Sequence, residues 1–144
     1  MMPEKLSNVI KIVLIDSNIE DSKIIKKFIE RQSNFSLLAH FHTMEDAIIK
    51  SGNLQPKVVA IAFKDAGDVD SLMDKVRQSF PKECSFIALV EDMGDAELTY
   101  QKFMLAGAHY IGEKYPLEEK KFIEIVQCFG DIIERHIDDS WLSR

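Results

Sequence analysis

The side chains with chemistry to offer stand where apolar runs end. Asp16 and Ser17 follow the run Val9 to Ile15, and Lys64 and Asp65 follow Val58 to Phe63. Val90 and Glu91 close Ser85 to Val90, and Lys114 lies seven residues beyond Gly107. A carboxylate, a hydroxyl and an amine brought to one edge could bind a charged ligand, or could satisfy each other as an ion pair. What is missing is equally informative. The third run ends in Ala62-Phe63-Lys64, with neither a nucleophile nor a metal-binding carboxylate. Asp65, Asp68 and Asp70 lack the glycine and distal glutamate of a calcium loop, so they read as a solvated acidic loop. His40 and His42 alternate on one strand without a further ligand nearby, and a phosphocarrier role for His109 or His136 has no supporting pattern.

Such residues need elements to position them. The chain has 144 residues, 46% hydrophobic and 29% charged, as expected of one ordinary globular domain with a real core. Its net charge of −6 argues against a dedicated nucleic-acid or anionic-membrane surface. No segment approaches the roughly 20 apolar residues of a membrane span, and the N-terminus lacks the apolar core of a secretory signal. Cys84 and Cys128 form no CxxC pattern, which fits reduced, mostly buried thiols in a cytoplasmic protein.

Taken in order, Val9 to Ile15 reads as a buried strand, with Asp16-Ser17-Asn18 as a βα turn and helix cap. Ile24, Ile25, Phe28 and Ile29 recur at helical spacing after it. Phe35 to His42 is a second strand, and Thr43 caps a helix over Met44 to Lys50. Val58 to Phe63, unbroken and bounded by Pro56, suits a strand buried on both faces of a parallel sheet. A helix carrying Val69, Leu72, Met73, Val76 and Phe80 precedes Pro81. Ser85 to Val90 is strand four, about Ala96 to Ala106 a helix, Ala108 to Gly112 strand five, and Pro116 opens a last helix. Five β-α units point to one doubly wound α/β sheet of five parallel strands, ordered 2-1-3-4-5.

With these residues placed, residues 9–130 resemble a receiver domain of the bacterial response-regulator superfamily. The resemblance is carried by Ile-Val-Leu-Ile-Asp16, by Pro56 with Val58, Val59 and Ile61, and by Ala106-Gly107-Ala108 with Lys114. It implies two acids after strand one holding Mg²⁺, an Asp ending strand three that accepts phosphate, and a hydroxyl and a Lys that sense it. Position by position, Asp16 matches the first acid, Ser17 stands for the second, Ala62 for the acceptor, Val90 for the hydroxyl, and Lys114 is kept. The usual Lys-Pro pair has become Lys114-Tyr115-Pro116.

The resemblance therefore implies a degenerate pseudo-receiver: no enzyme, no cofactor, Mg²⁺ binding lost or weak, and action through protein partners. Asp16 then needs a cation, which Lys114 or Lys64 could supply. Two alternatives stay open: a phosphoacceptor using a displaced carboxylate such as Asp65, and a small molecule in the vacated pocket. A flavodoxin-type flavin site fails, because Asp16-Ser-Asn-Ile-Glu-Asp21 is acidic where a phosphate loop would stand. Residues 1–130 form the expected domain and 131–144 an extension of a long C-terminal helix. There Phe129, Ile132, Ile133, Ile137 and Trp141 continue an apolar stripe expected to serve as a dimer seam or docking helix.

Overall fold

The computed structural model describes residues 9–69 and 71–130. Strands β1 (Ile10–Ile15), β2 (Phe35–Phe41), β3 (Val58–Phe63), β4 (Ser85–Val90) and β5 (Tyr110–Glu113) form one parallel sheet in the order β2-β1-β3-β4-β5. Helices α1 (Ile19–Glu30), α2 (Met44–Lys50), α3 (Ser71–Gln78), α4 (Ala96–Leu105) and α5 (Glu119–Gly130) connect and cover it. A 3₁₀ turn, Ala66–Asp68, lies between β3 and α3. The doubly wound topology is the expected one.

Strand parity divides the core in two. Ile10, Ile12 and Leu14 of β1, with Val58 and Ala60 of β3, pack under Ile25, Phe28 and Ile29 of α1 and Phe122 and Val126 of α5. Val13, Ile15, Val59, Ile61 and Phe63 face the other way, onto Ala47 of α2, Met73 and Val76 of α3, and Phe103 of α4. With both faces covered, the central strands are apolar at successive residues rather than at alternate ones, which is why they read as unbroken runs. Each large aliphatic side chain so buried contributes about 1.5–3 kcal/mol.

The helices start where their caps dictate. Asn18, Thr43 and Asp95 have extended backbones, and their side-chain oxygens accept from Asp21 N, Asp46 N and Leu98 N. Several expectations shift: β5 begins at Tyr110 rather than Ala108, and Val69 and Phe80 lie outside α3. Ile24 is exposed, because the buried stripe of α1 runs through Asp21, Ser22, Ile25, Phe28 and Ile29. The last helix begins at Glu119 rather than Pro116, after a cis Tyr115–Pro116 bond. Residues 131–144, where the extension was expected, lie outside the described residues.

Candidate functional site

The carboxyl ends of β1, β3, β4 and β5 meet at one edge of the sheet, and the charged residues of the chain's interior gather there. Asp16 follows β1 directly and is 2% exposed; Lys114 follows β5 and is 1% exposed. Lys114 Nζ stands 3.2 Å from Asp16 Oδ1, to which it donates, and 3.1 Å from Oδ2. It also lies 2.7 Å from Asp21 Oδ2 and 3.5 Å from Glu91 Oε2. Three carboxylates thus surround one ammonium. Although close to Lys114, Asp16 Oδ2 is buried and accepts no aligned hydrogen bond.

Local structure presents each acid. Asp16 Oδ1 accepts from Asn18 N at 2.9 Å, and Asn18 in turn caps α1 through Asp21 N at 2.9 Å. Asp21 therefore sits in the first turn of α1, where the helix dipole favours an anion. Tyr115 donates its hydroxyl proton to Asp21 Oδ2. On the β2 side, His40 Nε2 lies 2.9 Å from the Asp16 carbonyl. A carbonyl can only accept, so Nε2 carries the ring proton. Ser22 Oγ donates to Asn18 O at 2.7 Å and contacts the same His40 nitrogen at 3.1 Å. The Asp16 backbone is pinned from behind while its carboxylate faces Lys114.

The electrostatics follow from this geometry. Burial alone would lower the Lys114 pKa, but the hydrogen bond to Asp21 and the charge of Asp16 outweigh it and raise the value above 10.5. Lys114 is firmly an ammonium. Tyr115 is pushed up to about 12, first by its hydrogen bond to Asp21 and then by burial. A cavity of about 380 Å³ opens beside the cluster, lined by Asp16, Ser17, Asn18, Ala62, Lys64, Asp68 and Glu91.

The residues singled out in the sequence are distributed unevenly over this edge. Asp16 and Lys114 meet, whereas Lys64 is exposed on the cavity rim and forms no ion pair with Asp16. Ser17 and Ala62 line the cavity. Val90 is wholly buried in the core facing α2, α3 and α4, and the next residue, Glu91, is the one that reaches Lys114. Asp65 is exposed and turned onto its own loop, accepting from Gly67 N at 2.8 Å. Phe129 is half buried, with its ring 5.8 Å from that of Tyr110 and its carbonyl accepting from Ser85 Oγ at 3.1 Å. Ile132, Ile133, Ile137 and Trp141 lie outside the described residues. Sequence reasoning missed Asp21 and Tyr115 as members of the cluster. Asp21 carried a signal only as an acid in a first helical turn.

The comparisons with known proteins agree with the topology. The chain superimposes on a CheY-like response regulator from Mesorhizobium loti with a TM-score of 0.66, covering 84% of this chain and 98% of that one at 11% identity. This is the receiver-type, flavodoxin-like fold. The N-terminal domain of a response regulator/sensory box/GGDEF three-domain protein from Carboxydothermus hydrogenoformans matches with the same score over 88% and 98% of the two chains at 18% identity. So does the pilus assembly protein CpaE from Caulobacter crescentus, over 85% and 92% at 20% identity. At these identities the likeness speaks for the fold. No family model and no curated protein matches the sequence. Among the described residues, no group of three or more His, Cys, Asp or Glu is arranged to hold a metal ion.

Proposed function

We propose that this chain is a receiver-like signalling module that works by protein contact and does not accept a phosphoryl group. The observation that carries the reading is the cluster at the strand ends. The acceptor position holds the methyl group of Ala62, and the retained Asp16 is bound to Lys114 inside the protein. A methyl group cannot be phosphorylated. Mg²⁺ demands several hard oxygen ligands, and Ser17 and Ala62 offer no carboxylate, while Asp16 and Asp21 are already engaged by the Lys114 ammonium. Mg²⁺ binding is accordingly weak or lost.

The partner is a protein, met through the side of the domain that carries α4. There Leu98, Tyr100, Met104 and Leu105 are exposed, Leu105 at 88%. Large apolar side chains left exposed along one helix mark a contact surface. A homodimer through the C-terminal helix is the companion proposal, and the setting is the cytoplasm. Among the described residues no helix is long and apolar enough to cross a membrane.

Incubation with a small-molecule phosphodonor and Mg²⁺, read by intact mass, tests the reading. The expected outcome is an unchanged mass. A stable gain of about 80 Da, one phosphoryl group, lost in Asp65→Asn or Asp16→Asn, overturns it in favour of a displaced acceptor. Light scattering of the chain with and without residues 131–144 tests the dimer. Two monomers would refute the seam.

A further inference from the structure

A second cavity lies at the opposite end of the sheet, independent of the strand-end cluster and of any signalling role. It measures about 580 Å³ and opens where α3 ends and β4 and β5 begin. Its apolar wall is made by Phe80, Phe86 and the Cys84 thiol, each no more than 5% exposed. The Phe80 and Phe86 rings stand 6.5 Å apart at 59°, and the His109 ring lies 6.2 Å from Phe86 and nearly parallel to it, at 18°. Three rings thus bound one space.

The polar rim is basic in a chain that is otherwise acidic. In the lining Arg77 and Lys82 supply two positive charges against the Asp74 carboxylate, with the Glu83 charge acting on Cys84 from beside it. Asp74 stands 3.7 Å from the Arg77 guanidinium and is largely in solvent, so it neutralises that charge poorly. His109 Nδ1 accepts from Phe86 N at 2.9 Å, which leaves the proton of the neutral ring on Nε2 as a further donor. Arg77 also passes close to the backbone after α4. Gly107 has φ +103°, and a Cβ there would come within 2.4 Å of Arg77 Nε, so the side chain rests directly on the glycine backbone. A guanidinium beside aromatic walls offers a planar carboxylate two parallel donors.

We infer that this cavity binds a small aromatic carboxylate, its ring against Phe86 and His109 and its carboxylate on Arg77 and Lys82. The volume lies within the range of small-molecule sites. A phosphate would find only one fork and one amine, and would leave the three rings without contact.

The test is a titration of the ¹⁵N-labelled full chain with 1-naphthoate, followed by backbone amide shifts. Acetate supplies a carboxylate without the ring, and 1-naphthalenemethanol the ring without the charge. The expected result is saturable binding with a Kd of about 1 mM or tighter, with shifts centred on Arg77, Phe86 and His109. Both controls should bind at least about tenfold more weakly, the alcohol by losing a charge-assisted contact and acetate by losing the apolar contact of the ring. Arg77→Gln should weaken naphthoate by a similar factor, and Lys82→Gln, on an exposed residue, serves if Arg77→Gln disturbs the fold. Absence of saturation overturns the inference. So does equal binding of the neutral alcohol, affinity unchanged in the variants, or shifts centred on Asp16 and Lys114 instead.

Discussion

Replacing Lys114 by methionine isolates the energetics of the strand-end cluster. Methionine keeps the apolar stem and removes the ammonium, leaving Asp16, 2% exposed, and Asp21, with its side chain 11% exposed, as carboxylates without their cation. Breaking a buried ion pair by removing one partner costs about 3–5 kcal/mol, because the remaining charge keeps its desolvation penalty. Glu91 adds little to that figure, since a third of its side chain is in water. For a domain of this size about 3–4 °C accompanies each kcal/mol, so Lys114→Met should lower Tm by about 10–20 °C.

Asp16→Asn should cost less, about 1–3 kcal/mol, because it still offers an oxygen to Asn18 N and leaves Lys114 its 2.7 Å contact with Asp21. The double variant should fall short of the sum by about 1 kcal/mol or more, as contacting residues do. The pH dependence carries the sign. In the parent, the raised Lys114 pKa gives stability that is fully present below the unfolded value near 10.5 and is lost as pH rises through the higher folded value. Urea denaturation at several pH values reads all of this. A cost under about 1 kcal/mol, or strict additivity in the double variant, would refute the view that this pair organises the edge.

Further outcomes follow from single residues. The His109 pKa is lowered by burial and then by the Arg77 charge. The neutral ring therefore contributes stability above the unfolded value of 6.5 that is lost as pH falls toward the folded value. The denaturation midpoint of the parent should drop across that window more than that of His109→Gln, and parallel curves would contradict it. Cys84 is pushed up to about 12, chiefly by burial, so an alkylating reagent at neutral pH should modify exposed Cys128 and spare Cys84 until the chain unfolds. Intact mass showing two rapid adducts would count against this packing. Gly107→Ala should destabilise by about 1–3 kcal/mol, from the positive φ, as thermal melting would show.

How much of this was visible beforehand depended on whether the cue was local. The bounds of β3 and β4 were legible because both strands are buried on two faces and read as uninterrupted apolar runs, one of them fenced by Pro56 and Lys64. The pairing of Asp16 with Lys114 was legible for a different reason: strand order brings their elements to one edge, and a buried charge needs a partner. Lys64, the other cation weighed for that role, stays on the rim. Asp21 was not legible as a member, because an acid in a first helical turn already has an explanation in the helix dipole. Its role depends on Lys114 and Tyr115, more than ninety positions away, arriving through β5.

The last strand end shows how narrow such a reading is. One residue of strand parity separates Val90, wholly inside the core, from Glu91, which reaches Lys114. A comparison by position alone selects Val90 and sees a polar function replaced by an apolar one. The geometry instead places a carboxylate beside the ammonium, at an edge where β3 supplies only the methyl group of Ala62. With three acids drawn around Lys114, the charge needed to hold the ammonium is complete without any contribution from β3. An acid at position 62 is not needed for the buried cation to be fully paired. Asp16 and Lys114 are therefore held in place by contacts from β1, α1 and the end of β4 alone.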